Sequence, residues 1–449
     1  MENTGAIIEQ GQCKSSHFND YLGNLDGKWV VMNHLSGAMI EIDQPIYELL
    51  MNNDLAPLEG TKGLESLKFG KFVVSGDDNE VVGYKRARQE WSETARFVGL
   101  QIVPTLACNF KCPYCYENQQ FSHTSMLQEV MDGILNYLNE AIKPTTQMLS
   151  VSWYGGEPLL AMKQIEFLSK AFMKLAEERN LQYKATCVTN GYLLSKKNVD
   201  TLLQYKVRAL QVTLDGPKAI HDKRRKLADG TGTWQTIIDN IKYALSQKLM
   251  IHIRVNIDKE NIDYVEELCN ELKEENIFDE VTVSLGAVLS FGNVCRSVED
   301  TIITLEDANK KLGTDKIRAI LKKSIGQARR HVPNYTGCVA VATNSLIVGP
   351  SGELYKCTKT IGSPEEICGD IFNVDKNHPN IKKWEGVGNL EIDNCQKCSL
   401  LPVCSGDGCA FDQVISGKPV TACNNYLFRK EYASNHAKLY LEKKQNCSK

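Results

Sequence analysis

The chain has no run of 18 apolar residues anywhere in its 449, so no segment reads as a membrane-spanning helix. It has no basic block either. Its 52 Lys+Arg against 55 Asp+Glu leave a net charge of −3, which argues against nucleic acid as an obligate partner. Met1 to Gln10 is polar and acidic where a secretory signal would be basic and then apolar, so a cytoplasmic protein with no membrane partner is expected. The length exceeds that of one ordinary domain and predicts two or three. What the chain has in quantity is cysteine, 16 residues of it, grouped at short spacings.

Three of these stand at Cys108, Cys112 and Cys115, a C-x3-C-x2-C spacing just after the apolar run Phe97 to Leu106. That places three thiolates on one short loop leaving a predicted strand. Three are one too few to close a tetrahedral zinc site, and one too few for a fully ligated iron-sulfur cluster. Either a distant residue such as His123 completes a zinc site, or one iron stays open to chelation by a molecule with a free amino and carboxylate group. A large chain with such spacings fits iron-sulfur chemistry in a reducing compartment better than disulfides.

Upstream, Lys28 to Asn33 and Ala38 to Asp43 read as a β-hairpin, followed by a helix with Asp43 as N-cap and Pro45 in its first turn. A second helix is predicted near Glu59 to Leu67, a strand at Phe72 to Ser75 and a charged helix from Glu80 to Thr94. Residues 1–95 therefore form a small α+β domain. From residue 96 to 304 strands and helices alternate. The predicted strands are Phe97 to Pro104, Met148 to Tyr154, Tyr183 to Thr189, Arg208 to Leu214, Met250 to Ile257 and Glu280 to Leu285. The helix after the first of them is given a capping box at Ser125 and Gln128. Six βα units with apolar strands predict an α/β fold with a parallel sheet, open or closed into a partial barrel, whose ligands sit at the C-terminal strand ends.

Each strand-end motif offers polar groups there. Gly155-Gly156-Glu157-Pro158 gives close backbone approach and a carboxylate for an ammonium. Thr189-Asn190-Gly191 and Thr213-Leu214-Asp215-Gly216 give hydroxyl, amide and carboxylate groups suited to ribose and a carboxylate. Each alone reads as a turn or a cap; it is their placement at successive strand ends that carries the reading.

Taken with Tyr114, His221-Asp222, Arg225 and Arg254-Val255-Asn256, this series resembles the radical S-adenosylmethionine (SAM) enzymes. The resemblance implies a partial (β/α)6 TIM barrel in which Cys108, Cys112 and Cys115 hold a 4Fe-4S cluster. It implies that Glu157 takes the SAM amino group, Thr213 and Asp215 the ribose region and Arg225 the SAM carboxylate, with Tyr114, Gly155, Gly156, Asn190 and Asn256 also on the cofactor. The N-terminal domain looks like the peptide-recognition domains fused to peptide-maturing radical enzymes, which take up a leader peptide as an added strand.

After a predicted helical linker, residues 305–334, nine of the 16 cysteines fall within residues 335–449. Cys338, Cys357, Cys395, Cys398, Cys404, Cys409 and Cys423 resemble the SPASM extension, with one residue too many between Cys404 and Cys409. Paired zinc ribbons are the other reading, but seven thiolates do not divide into four-thiolate sites. The family pattern implies two auxiliary 4Fe-4S clusters, one on Cys395, Cys398, Cys404 and Cys423, the other on Cys338, Cys357 and Cys409. Asn344 stands where some relatives have an eighth cysteine, and Cys368 is the candidate to replace it.

In the family, reductive cleavage of SAM yields a 5′-deoxyadenosyl radical that takes a hydrogen from an unactivated carbon. The reading favoured is a maturase of ribosomally made peptides that forms a cysteine thioether, with a leader-bearing precursor peptide and a flavodoxin or ferredoxin as partners. An anaerobic sulfatase-maturating enzyme competes with it, as do carbon-carbon crosslinking and epimerisation. Such sulfatase-maturating relatives carry an aspartate after the second SPASM cysteine, where this chain has Thr358. A non-catalytic iron-sulfur electron carrier would explain the cysteines but not the strand-end motifs.

Overall fold

The structure, a computed structural model, describes residues 12–25, 27–115, 124–288, 300–303, 311, 333, 335, 338–385, 387, 390, 392–404 and 410–416. These fall into two compact units. One comprises residues 1–93, 329–338 and 387–449, the other 94–328 and 339–386. The expected boundary at residue 335 is not where the chain divides: the cysteine-rich C-terminal segment is split between the units, and most of the expected linker lies outside the described residues.

In the first unit β2 (Asn19–Leu25), β3 (Lys28–Asn33) and β4 (Met39–Asp43) form an antiparallel sheet in that order, and β1 (Cys13–Ser15) pairs with β5 (Val73–Ser75). The predicted hairpin is β3–β4. Its unforeseen partner β2 is poor in β-formers, with a bulge at Gly23, where φ is +140°, a value that suits glycine. Helices α1 (Gln44–Asn52), α2 (Lys62–Phe69) and α3 (Glu80–Glu93) follow. The start of α2 is fixed by Thr61, whose hydroxyl accepts from Leu64 N at 3.1 Å, three residues later than the sequence suggests. Val31, Ile42, Leu50, Leu64, Leu67 and Phe72 make the core, each at most 7 % exposed.

The second unit is built on six parallel strands: β6 (Phe97–Ile102), β7 (Met148–Trp153), β8 (Gln182–Thr189), β9 (Val207–Thr213), β10 (Met250–Ile257) and β11 (Val281–Ala287). They lie side by side in chain order, as the βα alternation requires, and the sheet stays open because β6 and β11 do not pair. Helices α4 (Gln128–Ala141), α5 (Met162–Glu178), α6 (Lys196–Gln204), α7 (Lys218–Arg224), α8 (Trp234–Ser246) and α9 (Val265–Glu274) join them. The capping box is not formed. Ser125 bridges Thr105 in extended conformation, and the helix starts after Leu127 without a side-chain cap. An element hidden in the cysteine field extends the sheet: β12 (Ser345–Val348) pairs parallel with β6 and antiparallel with β13 (Leu354–Tyr355).

Alternation along the strands separates two faces. On β10, Ile251, Ile253, Val255 and Ile257 are buried under the helices, while His252, Arg254 and Asn256 face the lumen half-buried. Thr282 and Ser284 stand likewise on β11. A closed barrel would fill this face with branched apolar side chains; here it is polar. Among the described residues, no helix is long and apolar enough to cross a membrane.

Candidate active site at the strand ends

The loop that leaves β6 carries Cys108, Cys112 and Cys115, and three neighbouring segments hold it in place. Phe110 bridges Leu227, and Lys111 N donates to Lys226 O at 3.1 Å. Asn190 Nδ2 donates to Asn109 Oδ1 at 2.8 Å and lies 3.9 Å from Cys108 Sγ. Gly156 N and Glu157 N donate to Thr105 O and Ala107 O, at 3.2 and 2.9 Å. A Cβ on Gly156 would stand 2.3 Å from Leu106 O and 2.4 Å from Ala107 O, so only glycine permits this approach. Cys115 N closes a turn on Cys112 O at 3.2 Å, and Phe110 N points at Cys108 Sγ at 3.4 Å. Burial pushes the Cys108 thiol up to about 12 and raises that of Cys112.

Glu157 is fully buried, with three donors on its two oxygens: Leu159 N at 3.0 Å, Thr189 Oγ1 at 2.7 Å and Asn190 N at 2.7 Å. Burial raises its pKa against those three bonds. Its carboxylate thus fastens the ends of β7 and β8 together, in addition to the ammonium role expected of it.

Asp215, also fully buried, is the second centre. The Tyr114 hydroxyl donates to Asp215 Oδ2 and accepts from Arg225 Nη1 at 2.5 Å. Asn256 N donates to Asp215 Oδ1 at 3.2 Å, and Asn256 Nδ2 is 3.5 Å from the Tyr114 hydroxyl. Burial raises the Asp215 pKa, opposed chiefly by Arg225. The structure separates two arginines that are adjacent in sequence. Each lies 3.9 Å from Asp215 Oδ2, but Arg224 is also bound to Asp258, at 2.7 Å, and Glu260, at 3.0 Å, whereas Arg225 donates to the Tyr114 hydroxyl. Thr213 ends β9 beside this group, 7 % exposed.

Two residues that hold the site escaped the sequence reading. Asn261 donates to Asp215 O at 2.7 Å and Asn256 O at 2.8 Å, and Asp258 anchors Arg224. Their signal, Asp-x-x-Asn just past a strand, is that of an ordinary Asx turn. His221 and Asp222 serve from beneath. Asp222 caps α8, accepting from Thr233 N at 2.7 Å and Trp234 N at 2.8 Å. His221 Nδ1 accepts from Asp215 N at 3.3 Å, so Nε2 carries the hydrogen and donates to Thr233 Oγ1 at 3.1 Å.

Burial and then Arg225 and Arg224 hold the His221 pKa well below 6.5. The unfolded chain takes up this proton below about pH 6.5 and the folded chain does not, so stability from this group is complete above that pH and falls on acidification. His221→Gln should flatten the loss of thermal midpoint between about pH 7 and pH 5; an unchanged slope would show that other groups set it.

The cysteine-field residues are placed within their own units. Cys357 and Cys368 are buried in the second unit, and the Cys368 thiol faces Glu366 O at 3.5 Å and Asn380 O at 3.6 Å. In the first unit Cys338 is exposed, Cys395 and Cys404 lie on short helical turns at Asp393–Gln396 and Leu401–Cys404, and Cys398 lies between the two turns. Cys409, Cys423 and His123 lie outside the described residues.

Among the described residues no three Cys, His, Asp or Glu side chains stand close enough together to hold a metal ion. The fit of an iron-sulfur cluster and SAM to the β6 loop rests on other grounds. Three thiols share one loop, glycines cradle it, and two buried donors beside it, Asn109 Nδ2 and Arg225 Nε, have no partner among the described residues. Orphaned donors of this kind call for a ligand.

Comparison with known proteins agrees with this geometry. Residues 102–272 match the family model described as the radical SAM superfamily. The chain is 28 % identical over 184 residues to the uncharacterized protein sll1766 of Synechocystis, spanning 45 % of that protein's length. It is 22 % identical over 424 residues to the radical SAM cyclopropyl synthase TigE of Paramaledivibacter caminithermalis, covering 85 % of this chain and 86 % of the relative. In fold it resembles native anSMEcpe with bound AdoMet and Cp18Cys peptide, with a TM-score of 0.56 and 20 % identity over 78 % of this chain and 99 % of that one.

Proposed function

We propose that this chain, whose residues 102–272 match the radical SAM family model, is an enzyme of radical chemistry that oxidatively modifies a ribosomally made, leader-bearing peptide and forms a cysteine thioether crosslink. One observation carries the peptide reading. Among the described residues of the first unit β4 pairs only with β3, which leaves an edge to which an extended leader can add as a strand. The Cp18Cys peptide bound to the fold neighbour supports the same class of substrate.

Cys108, Cys112 and Cys115 would hold the cluster, which with bound SAM supplies the electron that splits SAM and so the radical that takes a hydrogen from the peptide. Asp215 and Asn256 would receive the ribose hydroxyls, and Arg225 the methionyl carboxylate, which requires the Tyr114 hydroxyl to give up its place between Asp215 and Arg225. Gly155 and Gly156 keep the loop close enough to shut water out of that corner. Cys338, Cys357, Cys395, Cys398, Cys404, Cys409 and Cys423 are proposed as ligands of two auxiliary clusters. Thr358, which cannot accept a proton at neutral pH as a carboxylate can, weighs against formylglycine formation.

Mass spectrometry of a cysteine-containing precursor, before and after reaction with anaerobically reconstituted enzyme, is the test. Loss of two hydrogens with a cysteine turned resistant to alkylation is expected; an unchanged mass overturns the thioether reading. The docking edge is tested separately by proline at Ile40 and at Glu41. Neighbouring residues of a strand point their N–H groups to opposite sides, so one of the two blocks only the outer edge. That variant should keep its fold and bind leader at least about tenfold more weakly; undiminished affinity in both rejects β4 as the dock.

A further inference from the structure

One charged side chain of the first unit is left unused by everything above. Arg88, on α3, is half-buried, and its Nη1 is a buried nitrogen with no hydrogen-bond partner among the described residues. None of the ion pairs among the described residues includes it either. A buried donor left unmade is costly, and a guanidinium cannot shed its charge to reduce that cost. Such a position calls for an acceptor, and for one that carries negative charge.

The surroundings of Arg88 decide which acceptor this can be. Tyr84 stands one turn earlier on the same face of α3, and the guanidinium reaches its hydroxyl. That hydroxyl donates to Pro402 O at 3.2 Å, on the turn Leu401–Cys404, and Cys404 lies within its electrostatic reach. Tyr84, Phe18 and Leu401 form a small core on which Leu390 and Cys395 pack. From Cys395 the backbone runs on in tight turns, Cys398 N donating to Cys395 O and Leu401 N to Cys398 O, each at 3.1 Å. The segment that carries Cys395, Cys398 and Cys404 therefore lies against the face of α3 that carries Tyr84 and Arg88, all within one compact unit.

A four-iron cluster held by thiolates is an anion whose sulfurs accept hydrogen bonds, and each electron it takes up makes it more negative. The orphaned Nη1 and the permanent charge of Arg88 fit that group. We infer that Arg88 donates through Nη1 to a sulfur of the auxiliary cluster proposed on Cys395, Cys398 and Cys404, and so sets the reduction potential of that cluster. A hydrogen bond and a positive charge favour the reduced state, so Arg88 raises the potential and makes the cluster the readier acceptor of an electron. The N-terminal domain thereby acts on the redox chemistry as well as on the leader. The inference deepens the ligand assignment made above and rests on it.

The test uses the full chain with Cys108, Cys112 and Cys115 replaced by alanine and reconstituted anaerobically, so that only auxiliary clusters remain. A redox titration followed by electron paramagnetic resonance reads their midpoints. Arg88→Gln should lower one midpoint and leave the other in place. At a fixed potential the reduced-to-oxidised ratio of that cluster should fall about tenfold, which is about 59 mV for a one-electron couple. Arg88→Lys keeps the charge but not the planar fork, and should shift the same midpoint by less. Arg86→Gln, which alters an exposed arginine of the same helix, should shift neither. Unmoved midpoints in Arg88→Gln at full iron content, equal shifts of both clusters, or the same shift in Arg86→Gln overturn the inference. Should Arg88→Gln lose iron, Arg88→Lys decides, and a midpoint identical to that of the parent rejects the hydrogen bond. A parent protein without auxiliary iron would overturn the ligand assignment itself, a result that is separate from iron present at an unmoved midpoint.

Discussion

Replacing Cys108, Cys112 and Cys115 together by alanine is expected to reduce reductive SAM cleavage to background and to remove about four of roughly twelve irons, the number three four-iron clusters contain. The three thiols sit together on the one loop that leaves β6. The remaining irons should stay, because Cys395, Cys398 and Cys404 belong to the other compact unit. Iron and 5′-deoxyadenosine are measured on the same sample. SAM cleavage that survived the triple variant would remove the β6 loop from the chemistry.

A single methyl group should come close to the same result. In Gly156→Ala the new Cβ would meet the Leu106 and Ala107 carbonyl oxygens at 2.3 and 2.4 Å. These are backbone atoms, with no flexible side chain to yield, so the 105–107 segment must shift and take Cys108 with it. The strain is on the order of 1–3 kcal/mol, and its functional effect is larger because it falls at the root of the ligand loop. SAM affinity is expected to fall at least about tenfold, with partial loss of iron from that loop. Gly83→Ala on α3, where a Cβ meets nothing within 4 Å, is the control and should be neutral or slightly stabilising. Equal behaviour of the two variants would show that the close approach at Gly156 does not matter.

The sequence carried the barrel well because apolar strands alternating with amphipathic helices leave little choice. The expected β10, Met250 to Ile257, is the observed one, and β6 to β9 and β11 differ by two residues or fewer at each end. What it did not carry was pairing imposed from a distance. β2 owes its strand to β3 and not to its own Asp, Asn and Gly residues, and β12 is a Ser-Leu-Ile-Val tetrapeptide whose partners on β6 lie 246 residues earlier. Ser125 has the spacing of a cap but is drawn into a bridge with Thr105.

At the site the residue types were legible and their partners were not. Asp215 and Arg225 could be named from a motif, yet the choice between Arg224 and Arg225 needed Asp258 and Glu260, which reach Arg224 from the turn after β10. Glu157 showed its charge in the sequence but not the three donors that bury it.

The central claim is that the thiols of the β6 loop leave an iron open to SAM held by the strand-end residues. Electron paramagnetic resonance of the reduced, reconstituted protein, with and without SAM, tests it most directly. The signal of one cluster should change on adding SAM, and that change should be absent in the triple cysteine variant. A spectrum indifferent to SAM, in protein that carries its full iron, would contradict the account.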